Sequence, residues 1–261
     1  MPALTQLLRR AVVCLMLTAA VLNPAIAGAQ DIRVWVYHNF PPFIVDEDQR
    51  TGLSYDLAAL LTERSDGRYR FIVSVLPRQR LNLKIADDVP GIVLWANPAW
   101  FGDAEQTRFG WTAPVLNDRN DVISAAQVQL EYDGPQSLAG QTLVGVEGHR
   151  YPGVDALVDD GVVTRVDVTS EEAVLHFIAS ARGDVAIIAS SAARYYVRAM
   201  ALDGAVHFSE PVHSQYQRSI LVQPQLEPVR DYIDQALAQI RLTEQWRGIA
   251  DAYGLPPEQL P

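Results

Sequence analysis

The chain has 261 residues, 31 of them acidic and 21 lysine or arginine, which gives a formal net charge of −10 at pH 7. An acidic protein is poorly suited to binding nucleic acid or anionic lipid, because both partners are themselves negatively charged. The length suffices for one large domain or two small ones.

Residues 1–30 have the pattern of a secretory signal peptide. Two arginines precede the apolar run AVVCLMLTAAVL, and the small residues of NPAIAGAQ follow, which predicts cleavage after Ala27 or Ala29. The alternative is a membrane anchor, but the run is shorter than the roughly 20 apolar residues that cross a bilayer. Cleavage would also remove Cys14, the single cysteine, and leave no disulfide, thiolate metal site or cysteine nucleophile.

Strand and helix patterns alternate after the signal peptide. DIRVWVYHNF predicts a strand, SYDLAALLTERS a helix capped by Ser54, and YRFIVSVLP and PGIVLWANP two buried parallel strands. Beyond the extended segment TAPVLNDRNDVISA, three strands (QTLVGVEG, VTRVDV and DVAIIAS) alternate with three helices (PGVDALVDDG, SEEAVLHFIASARG and SAARYYVRAMAL). The tail EPVRDYIDQALAQIRLTEQWRGIADAYG predicts two amphipathic helices.

This alternation predicts an α/β fold with mostly parallel sheets. It occurs twice, and a second extended segment, HFSEPVHSQYQRSILVQP, precedes the terminal helices. We therefore expect two lobes joined by two crossing strands. Lobe 1 would comprise residues 31–121 plus 212–261 and lobe 2 residues 122–211, with hinges near residues 116–120 and 211–216.

Six segments, in order, resemble the periplasmic solute-binding proteins of polar amino-acid ABC transporters. They are FPPF, GLSYDLAALL, WTAPV, LAGQTLVGVEG, ARGDVAIIAS and ALAQIRLTEQWRGIADAYG. The resemblance covers residues 31–255. It implies the two-lobed type 2 fold of that family, a periplasmic location, a monomer that closes on a small solute, and a permease as partner.

The aromatic cluster FPPF follows the first predicted strand. Ligands of open α/β sheets lie at the carboxyl ends of the strands, and the family stacks an aromatic residue at the position of Phe40 on its ligand. We expect Phe40 to face a cleft, with core packing as the alternative. Core packing is the expectation for Phe43.

The resemblance also implies charged ligand-binding groups. Asp184 in GDVAII matches the aspartate that holds the ligand ammonium, although a cap or turn role after Gly183 is the alternative. His149 and Arg150 in GHRYPG stand where the family has serine or threonine at a helix start. An arginine there would strengthen an anion site, unless Arg150 is a solvated surface residue and His149 is structural.

The segment GIVLWANPAWFGDAEQTRFGWTAPV departs from the family. Trp95, Asn97 and Trp100 replace a hydroxyl-rich loop, and Arg108 lies closer to the crossing segment than the family's carboxylate-binding arginine. Arg108 remains a candidate for the ligand carboxylate, and Arg78 and Arg80 are weaker ones. The tryptophans favour a ligand with a planar or apolar portion.

No catalytic, cofactor-binding or metal-binding motif was found in the sequence. The leading hypothesis is a module that binds a small polar or anionic solute, amino-acid-like or an organic or aromatic acid, for ABC-type uptake. One alternative is a sensory or accessory module for a receptor or enzyme system. A second is a dehydratase-like enzyme on the same fold, for which Glu147 is the suspected acid.

Overall fold

A computed structural model describes residues 28–260. The predicted signal peptide therefore lies almost entirely outside the described residues. Among the helices of residues 28–260, none has both the length and the apolar character needed to cross a membrane.

Residues 28–260 form an α/β structure. The strands are β1 (Gln30–Val36), β2 (Tyr69–Val75), β3 (Ile92–Ala96), β4 (Gly110–Trp111), β5 (Leu116–Ala125), β6 (Thr142–Val146), β7 (Thr164–Val168), β8 (Val185–Ala189), β9 (Val206–Phe208) and β10 (Ser214–Val222). The α-helices are α1 (Leu53–Glu63), α2 (Arg78–Ala86), α3 (Asp155–Asp159), α4 (Glu171–Ala179), α5 (Ser190–Ala199), α6 (Glu227–Ile240) and α7 (Glu244–Ala252).

Two groups of parallel strands are joined through antiparallel ones. The strand order is β2-β1-β3-β10-β5-β8-β6-β7, with β4 paired to β10 and β9 to β5. Residues 214–218 of β10 pair with residues 116–120 of β5, whereas residues 219–222 pair with β3 and β4. Strand β10 therefore belongs to both halves of the sheet, and with β5 it connects them.

Separate hydrophobic cores lie on the two sides of this connection. In the first, helices α1 and α6 pack on β1 and β3 through residues such as Leu57 and Ile233. In the second, α4 and α5 pack on β6 and β8 through residues such as Leu175 and Ala192. Two cores are compatible with the lobes expected from the sequence, residues 31–121 plus 212–261 and residues 122–211, a division that stays a prediction.

One local prediction about helices was wrong, and one helix was not predicted. Helix α1 begins after Gly52, and Ser54 lies inside the helix, where its hydroxyl accepts a hydrogen bond from Trp95. Gly52 has φ 131°, and a Cβ atom there would lie 2.7 Å from the Phe43 carbonyl oxygen, so the turn into the helix requires glycine. Helix α2 was not predicted, because Leu81 is its single buried residue and its apolar pattern is weak.

Candidate functional site

A cleft of about 820 Å³ lies between the two cores. Most of its lining comes from residues at or just beyond the carboxyl ends of β1, β3, β6 and β8, where open α/β sheets bind their ligands. Its polar, charged and aromatic lining residues are His38, Phe40, Asn97, Trp100, Asn120, Tyr132, His149, Arg150, Tyr151, Glu171, His213, Ser214, Gln215, Tyr216 and Arg218.

Four of the residues expected at the site line this cleft. Phe40 is partly buried and packs against both hydrophobic cores, so its ring lies between them at the cleft. Asn97 donates to the Gln217 carbonyl over 2.9 Å, and its side-chain oxygen accepts from the amide of Ala99. His149 and Arg150 are exposed at the cleft. Their roles in binding a ligand stay predictions.

Arg150 sits on a loop that another arginine fixes. Arg165 donates to the carbonyl of His149 over 3.0 Å and forms ion pairs with Asp155 and Asp167. Within residues 28–260, the guanidinium of Arg150 itself makes no hydrogen bond and no ion pair. The loop therefore presents an unpaired cation to the cleft.

Trp95 does not lie in the cleft, which corrects the expectation from the sequence. Its side chain is fully buried, its ring centroid lies 5.1 Å from that of Phe43, and its Nε1 donates to the hydroxyl of Ser54 over 2.8 Å. Trp95, the penultimate residue of β3, therefore belongs to the first core. Trp100, four residues beyond the end of β3, is the tryptophan that lines the cleft.

Arg108 also lies outside the cleft. The loop before β4 folds around the carboxylate of Asp103, which accepts the amides of Thr107, Arg108 and Phe109. This turn directs Arg108 over the ring of Phe109, at 4.9 Å from the ring centroid, in a separate depression. Burial raises the pKa of Asp103, but its hydrogen bonds to Trp111 and to the loop amides lower it further, so the carboxylate stays ionised.

Asp184 is placed at the wrong end of its strand for a ligand in this cleft. It precedes β8, whereas the cleft is lined by Ile187, Ile188 and Ala189 at the carboxyl end. The carboxylate of Asp184 accepts the amide of Thr142 over 2.7 Å, which ties the starts of β6 and β8 together. The alternative noted from the sequence, a turn residue after Gly183, describes its position.

A buried arginine at the base of the cleft was not predicted. Arg218 is 2% exposed, and its Nε lies 2.8 Å from the carboxylate of Asp118. Its Nη2 donates to the hydroxyl of Tyr216 over 3.1 Å, and its Nη1 lies 3.1 Å from Nε2 of His38. Sequence alone shows Arg218 only as a polar residue before the apolar run SILV, a position where most arginines are solvated.

His38 is held neutral by this arrangement. An arginine can only donate hydrogen bonds, so Nε2 of His38 is the acceptor in its contact with Arg218. Burial, together with the positive charge of Arg218, holds the pKa of His38 well below its usual value. The imidazole therefore serves as a neutral acceptor at neutral pH.

Aromatic rings form much of the remaining wall. The ring centroids of Trp100 and Tyr216 lie 5.2 Å apart, those of His38 and Phe40 5.6 Å, and the guanidinium of Arg218 lies 5.3 Å from the Trp100 ring. Burial raises the pKa of Tyr216, so its hydroxyl stays protonated. This wall suits a ligand that has a planar or apolar portion.

Glu171 is the acidic residue of the cleft lining. It is the first residue of α4, directly after Ser170, whose hydroxyl caps the helix by accepting the amide of Ala173. Glu171 is 7% exposed, and burial raises its pKa. The sequence shows it only as one of two glutamates at a helix start, which gives no sign that one is buried and the other exposed.

Within residues 28–260, no group of three or more His, Cys, Asp or Glu side chains is arranged to hold a metal ion.

No protein-family model matches this sequence. No match was found among curated proteins either.

Solved structures share the fold at low sequence identity. A putative L-cystine ABC transporter protein from Listeria monocytogenes has a TM-score of 0.65 at 15% identity, covering 89% of this chain and 99% of its own. The GluR0 ligand-binding core from Nostoc punctiforme, in complex with L-glutamate, has a TM-score of 0.64 at 14% identity and covers 86% and 100%. An ancestral arginine-binding protein bound to arginine has a TM-score of 0.63 at 15% identity and covers 85% and 97%. The chain therefore has the two-lobed α/β fold of type 2 periplasmic binding proteins, as the sequence predicted.

Proposed function

We propose that this chain is a periplasmic solute-binding protein that captures a small polar or anionic solute between two closing lobes. The solute would be amino-acid-like, or an organic or aromatic acid, delivered to an ABC permease. The periplasmic location rests on the predicted signal peptide, and we expect the protein to act as a monomer.

The observation that carries this proposal is the unpaired guanidinium of Arg150 in a cleft between two cores. A volume of about 820 Å³ is within the range of small-molecule sites, roughly 300–1,000 Å³. Arg218 contributes no net charge to the cleft because Asp118 neutralises it. Arg150 is thus the cation that remains to bind the acidic group of a solute, in the bidentate geometry that suits a carboxylate.

We expect ligand binding to close the cleft, because the residues that line it come from both sides. A ligand that contacts residues from both cores stabilises the closed state by its additional affinity for that state. We propose that the paired segments 116–120 and 214–218 of β5 and β10 contain the hinge, because they are the main strand connection between the halves.

A sensory or accessory module for a receptor or enzyme system is the alternative. An adjacent gene for a permease and an ATPase would favour transport, whereas an adjacent receptor or enzyme gene would favour the accessory role. No observation favours Glu147 as a catalytic acid, since it is exposed and does not line the cleft.

A thermal-shift screen of the purified protein against amino acids, organic acids and aromatic acids tests the proposal. A true ligand at 100 times its Kd should stabilise the protein by about 2.7 kcal/mol. Arg150→Ala should change the stability of the empty protein by less than about 0.5 kcal/mol, because the side chain is exposed, yet remove most of the ligand-induced shift.

Arg80→Ala is the matched control, because Arg80 is also exposed and lies outside the cleft. This variant should keep the full shift. The proposal fails if no compound of these classes stabilises the protein. If Arg150→Ala retains the shift, Arg150 does not hold the ligand.

A further inference from the structure

A second concentration of positive charge lies outside the cleft, in the depression that contains Arg108. This depression has a volume of about 320 Å³. Helix α2 lines it with Arg78 and Asn82, and the segment between β3 and β4 lines it with Trp100, Phe101 and Arg108. No acidic residue from the described part of the chain lines it. In a chain with a formal net charge of −10, this depression is therefore a local region of positive charge.

Both guanidinium groups are positioned by the same short stretch of backbone. Arg78 donates through Nη2 to the carbonyl of Trp100 and through Nε to the side-chain oxygen of Asn82 over 3.0 Å. Arg108 donates through Nη1 to the carbonyl of Phe101 over 3.5 Å. The guanidinium of Arg78 also lies 4.1 Å from the centroid of the Phe101 ring. Because successive carbonyl groups each accept from one arginine, the two cations face the same depression.

These contacts leave the charge of both arginines unpaired. Among residues 28–260, neither Arg78 nor Arg108 forms an ion pair. A guanidinium has five N–H groups, and the hydrogen bonds described above use two from Arg78 and one from Arg108. Several donors on each side chain are therefore available to a ligand.

The local structure does not favour two cations at this place. Arg78 is the first residue of α2, and the first turn of that helix contains no acid. A positive charge at the start of a helix is opposed by the helix dipole, and the like charges of Arg78 and Arg108 repel each other. Water or a neutral side chain could satisfy the two carbonyl groups equally well. A bound anion would offset both unfavourable interactions.

We propose that this depression is a second binding site, which holds a small, doubly charged oxyanion of the sulfate or phosphate type between Arg78 and Arg108. Guanidinium groups bind such oxyanions through paired hydrogen bonds, and two arginines match the double negative charge. Among the described residues, Trp100 alone lines both the depression and the cleft. The anion is therefore distinct from the solute proposed for the cleft and lies beside the cleft wall.

Isothermal titration with sodium sulfate at low ionic strength tests this proposal. The parent protein is the Arg150→Ala variant, so that an anion bound by Arg150 in the cleft does not contribute. We expect saturable binding of sulfate to one site, and binding of sodium acetate, at equal ionic strength, at least about tenfold weaker. Arg108→Gln and Arg78→Gln should each weaken sulfate binding at least about tenfold, because each removes charge-assisted hydrogen bonds.

Arg80→Gln is the matched control. It removes the same positive charge from the same helix, but Arg80 is exposed and lies outside the depression. This variant should bind sulfate within about twofold of the parent protein. The proposal is overturned if the parent does not bind sulfate, if Arg108→Gln and Arg78→Gln bind it as tightly as the parent, or if Arg80→Gln weakens binding equally. None of these results bears on the solute of the cleft.

Discussion

The two arginines of the cleft differ in almost every respect. Arg218 is 2% exposed and bound to Asp118, His38 and Tyr216, whereas Arg150 is exposed and unpaired within the described residues. The charge of Arg218 is neutralised by Asp118. The charge of Arg150 is available to a ligand. A guanidinium at a cleft is therefore a binding candidate only when its neighbours leave it unsatisfied.

The same contrast separates the two sides of the cleft. On the side of β3 and β10, polar groups satisfy one another, as the Asn97 and Arg218 contacts illustrate. On the side of β6 and α4, Arg150 and Glu171 have no protein partner of opposite charge among residues 28–260. The first side stabilises the fold, and we infer that the second provides, through Arg150, a charge for binding.

The largest expected effect comes from breaking the buried ion pair. Asp118→Ala would leave Arg218 buried without a counter-ion and should lower the free energy of unfolding by about 3–5 kcal/mol. Urea denaturation at pH 7 measures it. Asp31→Ala removes an exposed ion pair with Arg70 and should cost far less, because solvent screens exposed ion pairs. Equal losses in the two variants would contradict the structural role of Arg218.

An intermediate effect is expected at His38. His38→Ala removes the acceptor for Arg218 and should cost about 1–3 kcal/mol at pH 7. The pKa of His38 is lowered in the folded state, so below pH 6.5 the unfolded chain binds a proton that the folded one does not. The stabilising contribution of His38 is therefore lost as pH falls below 6.5. Denaturation at pH 7 and pH 5 should show the difference between wild type and variant shrinking, and a constant difference would contradict a neutral His38.

The smallest effect, on the binding side, has the opposite sign. Glu171→Gln should raise the free energy of unfolding of the empty protein by about 1 kcal/mol at pH 7, because it removes a buried unpaired charge. The pKa of Glu171 is raised in the folded state, so the wild-type protein becomes less stable as pH rises above 4.5, where the unfolded chain loses its proton more readily than the folded one. The stability advantage of the variant should therefore vanish near pH 4. The charge of Glu171 acts on Tyr151 and Tyr196, whose pKa values are raised, mainly by burial, so neither tyrosine titrates in this range.

Thermal denaturation at the two pH values measures this effect. If the Glu171→Gln variant is less stable than wild type at pH 7, the carboxylate of Glu171 stabilises the fold, and the prediction is wrong.

The sequence was sufficient to predict the fold, because the spacing of apolar residues and the order of strands and helices can be recognised in short stretches of the chain. Alternating apolar runs and helical spacing identified most of the elements, and the expected burial of Phe43 is confirmed. Side-chain direction at element ends was harder. Trp95 and Asp184 were assigned to the cleft, but one lies in a fully buried strand and the other before the start of β8.

Residues whose role depends on distant partners could not be predicted. Arg218 becomes structural only because Asp118, 100 positions away in the chain, lies beside it. Glu171 and Glu172 are adjacent glutamates in the first turn of the same helix. They differ in that only Glu171 lies on the helix face that meets the cleft. Arg108 was misplaced because the turn around Asp103 involves backbone amides that no residue pattern specifies.

Trp100 gives the protein a built-in optical reporter. It is 36% exposed and lines the cleft beside Tyr216, whereas Trp35, Trp95 and Trp246 are at most 2% exposed. Its indole emission depends on contact with water, so occupancy at this wall should shift the fluorescence spectrum towards the blue without any attached dye. Ligand association could thus be followed in real time on the unlabelled chain.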